Sequence, residues 1–464
     1  MINPDDVWEA LRLWHGAETE KWPLARLRLG LQLDQEQAEF ASLAQGGPAA
    51  HNRAILNRAL EVLRMRAPSA EDLLRQRFEH LRDVLDLAHA LNITESSIYY
   101  RQRVAVNSLT EIIVGLEEKA SSDWQERMEA RLELPTYTTL VGVEQPYNTI
   151  LEVLSDETAQ FIVSIDGLGG LGKTALADKV TRKVIHTTYF DEIAWVTAKQ
   201  THLSTLGRLK VESGKPALTF PLLIDRLAEQ FELNQDDRPR LEQQRLVKQF
   251  LQQRRCLVVI DNLETMADYD ILLPELKRWQ RPSKFLLTSR LRLLDELDVF
   301  SFSLQELSRQ AAVELMRLEA GRTNFMALLQ ASDEELSQIY NVVGGNPLAI
   351  KLVVGQSRFY SLPQVLQRFS NQQQQGDLFQ YIYLEAWESL SDAAKTVLLT
   401  LTEAGESGFN FEHLHAVSGL PEEEVQQALE KLITLSLVDL GGSLMERRYR
   451  LHRLTEIFIL NMFA

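Results

Sequence analysis

Through residues 1–130, apolar positions recur three and four apart. This is the spacing of helices that bury one face, and glycines are few beyond Gly30 and the Gly46-Gly47-Pro48 break. From Gln160 to about Asp298 the pattern changes. Short apolar runs alternate with amphipathic stretches, which predicts βαβ units around a parallel sheet. The runs are Phe161–Ile165, Glu192–Val196, Cys256–Ile260, Lys284–Thr288 and Val299–Ser303. Helical periodicity returns over residues 304–370 and stops at the polar Asn371–Gly376, read as a linker. After Leu378, further helices precede Leu437–Gly441 and Arg447–Leu451, which are placed to pair as a small hairpin. Pro135–Pro146 reads as another linker and carries Val141-Gly142-Val143-Glu144. No period of 20–50 residues repeats, so no repeat architecture is predicted.

The first apolar run leads into the most informative chemistry of the chain. Asp166 ends it, and Gly167-Leu168-Gly169-Gly170-Leu171-Gly172-Lys173-Thr174 fills every fixed position of the phosphate-loop pattern G-x-x-x-x-G-K-[ST]. Glycines let backbone N–H groups turn toward phosphate oxygens without a Cβ in the way. The spacing gives Lys173 the β- and γ-phosphates and gives the Thr174 hydroxyl a Mg²⁺ ion. Ala175–Val180 reads as a helix whose positive end faces the anion. A glycine-rich turn that binds nothing would not need strand, loop and helix in this order. The sequence therefore predicts a bound nucleoside di- or triphosphate.

A second buried run, Leu257–Ile260, ends in Asp261, placed to hold Mg²⁺ at the carboxyl edge of the sheet. Three residues on, Glu264 is a candidate base for the attacking water, or a solvated loop residue. Lys284–Ser289 leads to Arg290, a candidate γ-phosphate sensor or a surface arginine. In Gly344-Gly345-Asn346-Pro347-Leu348-Ala349-Ile350, Pro347 is suited to a first helical turn; by itself this predicts only a helix start.

Composition narrows the partners. Of 464 residues, 45% are hydrophobic and 25% charged, the balance of an ordinary globular protein. A net charge of −16 argues against broad attraction to nucleic acid or anionic membrane. The single cysteine, Cys256, excludes an internal disulfide framework and a cysteine metal cluster, and suits a reducing compartment. The N-terminus lacks the basic-then-apolar order of a signal peptide, and no stretch reaches 18 uninterrupted apolar residues. These features predict a soluble, cytoplasmic protein with no membrane partner. His413 and His415 have no further ligands nearby in sequence and read as structural.

Several motifs in fixed order give a resemblance. From about Thr139 to Phe463 the chain resembles the NB-ARC branch of the STAND signalling ATPases. These include plant disease-resistance proteins, apoptosome scaffolds and bacterial defence and regulatory proteins. The residues that carry it are GLGGLGKT at 167–174, FDEIAWV at 190–196, LVVIDNLE at 257–264, LLTSR at 286–290, GGNPLAI at 344–350 and YRLHRL at 449–454. The resemblance implies a multidomain protein. Its parts would be a helical N-terminal module (1–130), an α/β P-loop NTPase domain with a parallel sheet (131–303), a small helical domain (304–375) and a C-terminal winged helix (376–464).

It further implies nucleotide contacts from Val141, Gly167, Gly169, Gly170, Leu171, Gly172, Lys173, Thr174 and Ala175. Pro347 would pack on the adenine, and His452 would meet the β-phosphate of ADP in a closed state. Lys173, Asp261, Glu264 and Arg290 would serve catalysis, with Mg²⁺ on Thr174 and Asp261. The chain departs from the family pattern in three places. Asn262 replaces a second acidic residue, which moves the base to Glu264. Arg453 replaces the aspartate after the histidine, and Val141 stands where related linkers carry arginine. Relatives continue into sensor repeats, whereas this sequence ends at Ala464, so the sensor is expected either beyond it or on another chain.

Residues 71–117 read as a helix-turn-helix similar to σ-factor region 4, with Thr94 as N-cap and Ser96, Ser97, Tyr99, Tyr100, Arg101 and Arg103 on the second helix. Duplex DNA is one partner for it. However, residues 71–110 hold five basic and six acidic side chains, few for phosphate contacts, which keeps a protein partner open. The expected function is a nucleotide-dependent switch, ADP-bound when closed, ATP-bound when open and self-oligomerising. It would hydrolyse slowly, act in bacterial stress or antiphage defence, and work with a sensor or effector in trans. The alternatives are an ATP-regulated transcription factor and a fast housekeeping motor.

Overall fold

Five parallel strands organise the nucleotide-loop region in the computed structural model. The structure describes residues 2–16, 22–38, 47–135, 137–198, 201–203, 209–211, 218–233, 239–263, 266–279, 281–293, 296–358, 360–370, 383, 386–404, 408–443, 446–452, 454–456 and 458–459. Its strands, in chain order, are β1 Ile162–Asp166, β2 Glu192–Thr197, β3 Thr201–Leu203, β4 Leu209–Val211, β5 Cys256–Leu263, β6 Lys284–Ser289, β7 Val299–Ser303, β8 Val438–Gly442 and β9 Arg447–Leu451. The main sheet runs β2-β5-β6-β1-β7. Every neighbouring pair in it is parallel.

Such a sheet needs cover on both faces, and the residues of β1 and β6 are buried throughout. The register sets Ile165 beside Thr288 on one side and Phe302 on the other, and Thr197 beside Asp261. Consequently Asp166, Asp261, Thr288 and Ser303 gather at the carboxyl edge, where open α/β sheets place their ligands. All five expected strands are present. β5 runs on past Ile260 through a register shift, with Asn262 in the left-handed region at φ +69°. The antiparallel pair β3–β4 was not expected, because three polar-flanked residues per strand carry no readable alternation.

The chain divides into two compact units, Met1–Ala130 and Arg131–Ala464. The first holds α1 Pro4–Arg12, α2 Arg28–Ala38, α3 Pro48–Arg66, α4 Pro68–Leu74, α5 Val84–Leu91 and α6 Glu95–Ala130. Leu11, Ile55, Leu60, Leu63, Leu109 and Ile113 lie in its main core. Both carboxylate oxygens of Glu117 on α6 accept backbone N–H groups at the start of α2, from Arg28 and Leu29, each at 2.9 Å. A separate small cluster packs Leu73, Val84, Leu87, Ala88 and Ile98 around the α5–α6 turn. Asn92 makes that turn in the left-handed region, and the Thr94 hydroxyl accepts the Ser97 N–H at 3.3 Å. The second helix does not stop near 117: α6 runs unbroken for 36 residues, because apolar positions continue to Trp124 and Met128.

In the second unit α7 Glu144–Ser155 precedes β1, and α8 Lys173–Ile185 follows the glycine loop. The expected linker 135–146 is therefore shorter, since Glu144, Gln145 and Pro146 form the first turn of α7, where proline is tolerated. Around the rest of the sheet lie α9 Phe220–Gln230, α10 Arg240–Gln253 and α11 Met266–Trp279. Next come α12 Arg309–Arg322, α13 Met326–Leu329, α14 Asp333–Val343, α15 Pro347–Gln356 and α16 Leu362–Ser370. Finally α17 Asp392–Leu401, α18 Phe411–Ser418 and α19 Glu422–Thr434 lead into the antiparallel hairpin β8–β9, which pairs Val438 with Leu451. Glu264, Arg453 and the Asn371–Gly376 segment lie outside the described residues.

Candidate nucleotide site

The loop 167–172 joins buried β1 to α8, so its shape is fixed at both ends. Lys173 opens α8, and its ammonium folds back to donate to the carbonyls of Gly167 (2.7 Å) and Leu168 (2.9 Å). Thr174 is exposed beside it, and its hydroxyl donates to Asp261 Oδ1 at 2.7 Å. Asp261 is buried, and the same oxygen accepts from Thr288 of β6 at 2.6 Å. Thr288 in turn accepts the Asn262 N–H at 2.8 Å, which holds the chain end of β5 in place. Because β6 separates β5 from β1, Thr288 is the strut that aims Asp261 at the loop; the sequence reading missed it.

Thr174 and Asp261 thus meet as an all-oxygen pair, the donor chemistry that suits Mg²⁺. The loop fits a polyphosphate equally well. It presents backbone N–H groups at the start of a 13-residue helix, beside a lysine that donates to the carbonyls of Gly167 and Leu168.

The GGNPLAI segment docks directly on this loop. Asn346 is fully buried; its amide donates to Gly169 O at 3.0 Å while its oxygen caps α15 through Leu348 N and Ala349 N at 3.0 and 3.2 Å. Leu348 N also donates to Gly170 O at 3.2 Å. Gly170 is glycine for this contact as much as for phosphate: at φ +83°, a Cβ would sit 2.8 Å from Asn346 Oδ1 and Leu348 Cβ. A Cβ on Gly345 would lie 2.0 Å from Leu307 O, which no side chain tolerates. Pro347 stands at the first turn of α15, half-buried, next to these contacts. Asn346→Ala removes the cap and strands the Gly169 carbonyl, so the urea midpoint falls, by about 2–4 kcal/mol of stability. An unchanged midpoint would mean the docking carries no weight.

Val141 and Val143 are buried, and Gly142 passes close to Leu307 and Ala311 at the start of α12. Arg290 is half-buried after β6, and its carbonyl accepts the Ser436 hydroxyl at 2.9 Å. His452 is buried between two carboxylates, with Nε2 3.4 Å from Asp439 and Nδ1 3.6 Å from Glu306. It reaches the loop through intermediaries: Glu306 accepts the Gly345 N–H at 3.3 Å, and Gly345 adjoins Asn346. Burial pushes the Glu306 carboxyl up, opposed by His452 and the Gly345 N–H. Asp166 is fully buried and accepts from the Ser301 and Ser303 hydroxyls of β7, the latter at 2.5 Å. Burial raises its carboxyl too, opposed by those hydroxyls and by Arg292 and Lys173. Among the described residues no cluster of three metal-ligating side chains occurs, and no helix is long and apolar enough to cross a membrane.

Residues 143–325 match the NB-ARC domain. The chain carries an NB-ARC domain. It is 30% identical over 175 residues to the disease resistance protein RPP8 of Arabidopsis thaliana, covering 36% of this chain and 17% of that protein. With the Arabidopsis RPP8-like protein 3 it shares 27% over 258 residues, covering 53% and 26%. The chain thus spans about a quarter or less of these relatives. A Walker-type ATPase of Pyrococcus abyssi superposes with a TM-score of 0.47 at 12% identity, over 69% of this chain and 96% of that one. A STAND protein with a tetratricopeptide-repeat sensor from Pyrococcus horikoshii gives 0.33 at 17%, over 70% and 43%. The matched NB-ARC segment holds the phosphate loop, Asp261 and Arg290, whereas Pro347 and His452 lie beyond it.

Proposed function

We propose that this protein is a nucleotide-operated signalling switch. ADP stabilises a closed arrangement of the sheet, the α12–α16 helices and a winged helix formed by α17–α19 with β8–β9. ATP stabilises an open one that oligomerises, and slow hydrolysis resets the cycle. The observation that carries this reading is the grip of Asn346 and Leu348 on the carbonyls of Gly169 and Gly170, because whatever occupies the loop is then felt by the helical region. A switch needs only that the two nucleotides differ in affinity for the two arrangements.

In this reading Lys173 exchanges its carbonyl partners for β- and γ-phosphate oxygens. Thr174 and Asp261 hold Mg²⁺, which when bound neutralises charge developing on the transferred phosphoryl group. Arg290 senses the γ-phosphate, Glu264 polarises water, and Val141 and Pro347 line the base. The output is defence or stress signalling, as the names of the plant relatives suggest, with a sensor or effector supplied elsewhere. Residues 71–117 carry more acidic than basic side chains, so they serve a protein partner better than promoter DNA. Native mass and the nucleotide released on denaturation test the switch. Tightly held ADP on a monomer is expected; ATP on an assembly, or no nucleotide, would overturn the ADP-locked state.

A further inference from the structure

Behind the phosphate loop, six ionisable groups from distant parts of the second unit meet, all but Arg450 largely out of water. They are Asp166 at the end of β1, Arg292 after β6, Glu306 after β7, Asp439 on β8, Arg450 on β9 and His452 after β9. Arg292, only 5% exposed, spans the centre: its Nε lies 3.5 Å from Asp166 and its Nη2 3.4 Å from Asp439. Asp439 is shared three ways, with His452 at 3.4 Å and the half-exposed Arg450 at 3.7 Å as well. With its amide nitrogen turned inward, Gln305 donates to both Asp439 oxygens at 3.1 Å. The backbone follows the same route. Arg292 N donates to Thr434 O at 2.8 Å, and the Ser436 hydroxyl donates to Arg290 O at 2.9 Å.

Arg292 faces both Asp166 and Asp439, and this pairing of opposite charges is what permits the burial. A buried charge that loses its partner is costly, so the cluster is stable when complete and unstable when opened. A two-stranded hairpin has little stability of its own, so its seat is fixed by what it touches. Asp166 immediately precedes Gly167, and its side chain is also held by Ser301 and Ser303. Movement of Arg292 is therefore transmitted to the entry of the phosphate loop on one side and to the hairpin on the other.

We propose that Arg292 is a positioning residue that latches hairpin β8–β9 to the end of β1, so that detachment of the hairpin and release of nucleotide are one event. This rests on the nucleotide reading above and adds its regulation: a signal acts by prising Asp439 from Arg292.

Two measurements on the full chain test it: the release rate of fluorescent ADP, and hydrogen exchange of residues 438–451. Arg292→Gln and Asp439→Asn each release ADP about tenfold or more faster, because each leaves a buried charge without its partner and so loosens the hairpin whose detachment accompanies release. Each also loses protection in the hairpin, and the double variant is no worse than the worse single. Arg292→Lys keeps the charge on one ammonium that cannot span both carboxylates, and it shows the same direction should a neutral variant fail to fold. Wild-type release with an intact hairpin, or fully additive singles, would overturn the latch. If the wild type binds no ADP, the nucleotide reading fails instead. Hairpin exchange in nucleotide-free wild type and Asp439→Asn then still decides whether the pair seats the hairpin.

Discussion

Lys173→Ala is expected to weaken ADP and ATP binding by about 10- to 100-fold, the worth of hydrogen bonds to a charged group in a partly desolvated site. The Lys173 ammonium donates to two backbone carbonyls, Gly167 O and Leu168 O. These neutral acceptors are poor partners beside phosphate oxygens, so binding exchanges weak contacts for strong ones. Fold damage is small, since the loop remains tied to Asn346 and Leu348 through Gly169 and Gly170. Calorimetric titration of the variant, beside a thermal melt, makes the check. Affinity equal to wild type with an intact melt would place the phosphates somewhere other than this loop.

The legible parts of the fold are those in which chemistry dictates short local sequence. A phosphate loop needs glycines and a lysine at set spacing after a buried strand, so residues 161–174 announce it. The strands of the main sheet are readable because burial on both faces demands unbroken apolar runs. Beyond one-residue shifts at the ends of β1, β2 and β6, the expected ranges missed the extension of β5 past Ile260, where Asn262 turns through a positive φ. Pro347 was legible as a helix start, but the weight of that segment falls on Asn346. Its contact with Gly169 spans 177 residues and leaves no local pattern. The Arg292–Asp439 pair is hidden for the same reason, with its partners 147 residues apart. Arg292 in a loop and Asp439 in a short hairpin look like ordinary surface charges until the fold closes over them. His452 was singled out through resemblance alone; its carboxylate neighbours Asp439 and Glu306 come from segments with no motif.

Asp261→Asn should leave the fold nearly untouched and remove the proposed Mg²⁺ site. Thr174 and Thr288 both donate to Oδ1, and an asparagine oxygen at the same place accepts both. What the variant lacks is the negative charge, and a hard divalent cation needs it. ADP measured without Mg²⁺ should therefore bind as in wild type. The gain in ATP affinity on adding Mg²⁺ should vanish, and turnover should fall about 10²–10³-fold or further, the scale of losing one main electrostatic stabiliser of the transition state. Thr288→Val sharpens the test. It keeps the charge but removes the hydroxyl that steers Asp261 and accepts the Asn262 N–H. A metal site that depends on aim as well as charge then loses part of its Mg²⁺ response while its nucleotide affinity holds. If Asp261→Asn hydrolysed ATP at the wild-type rate, the metal would have to be held elsewhere, and the pairing of Thr174 with Asp261 would be structural only.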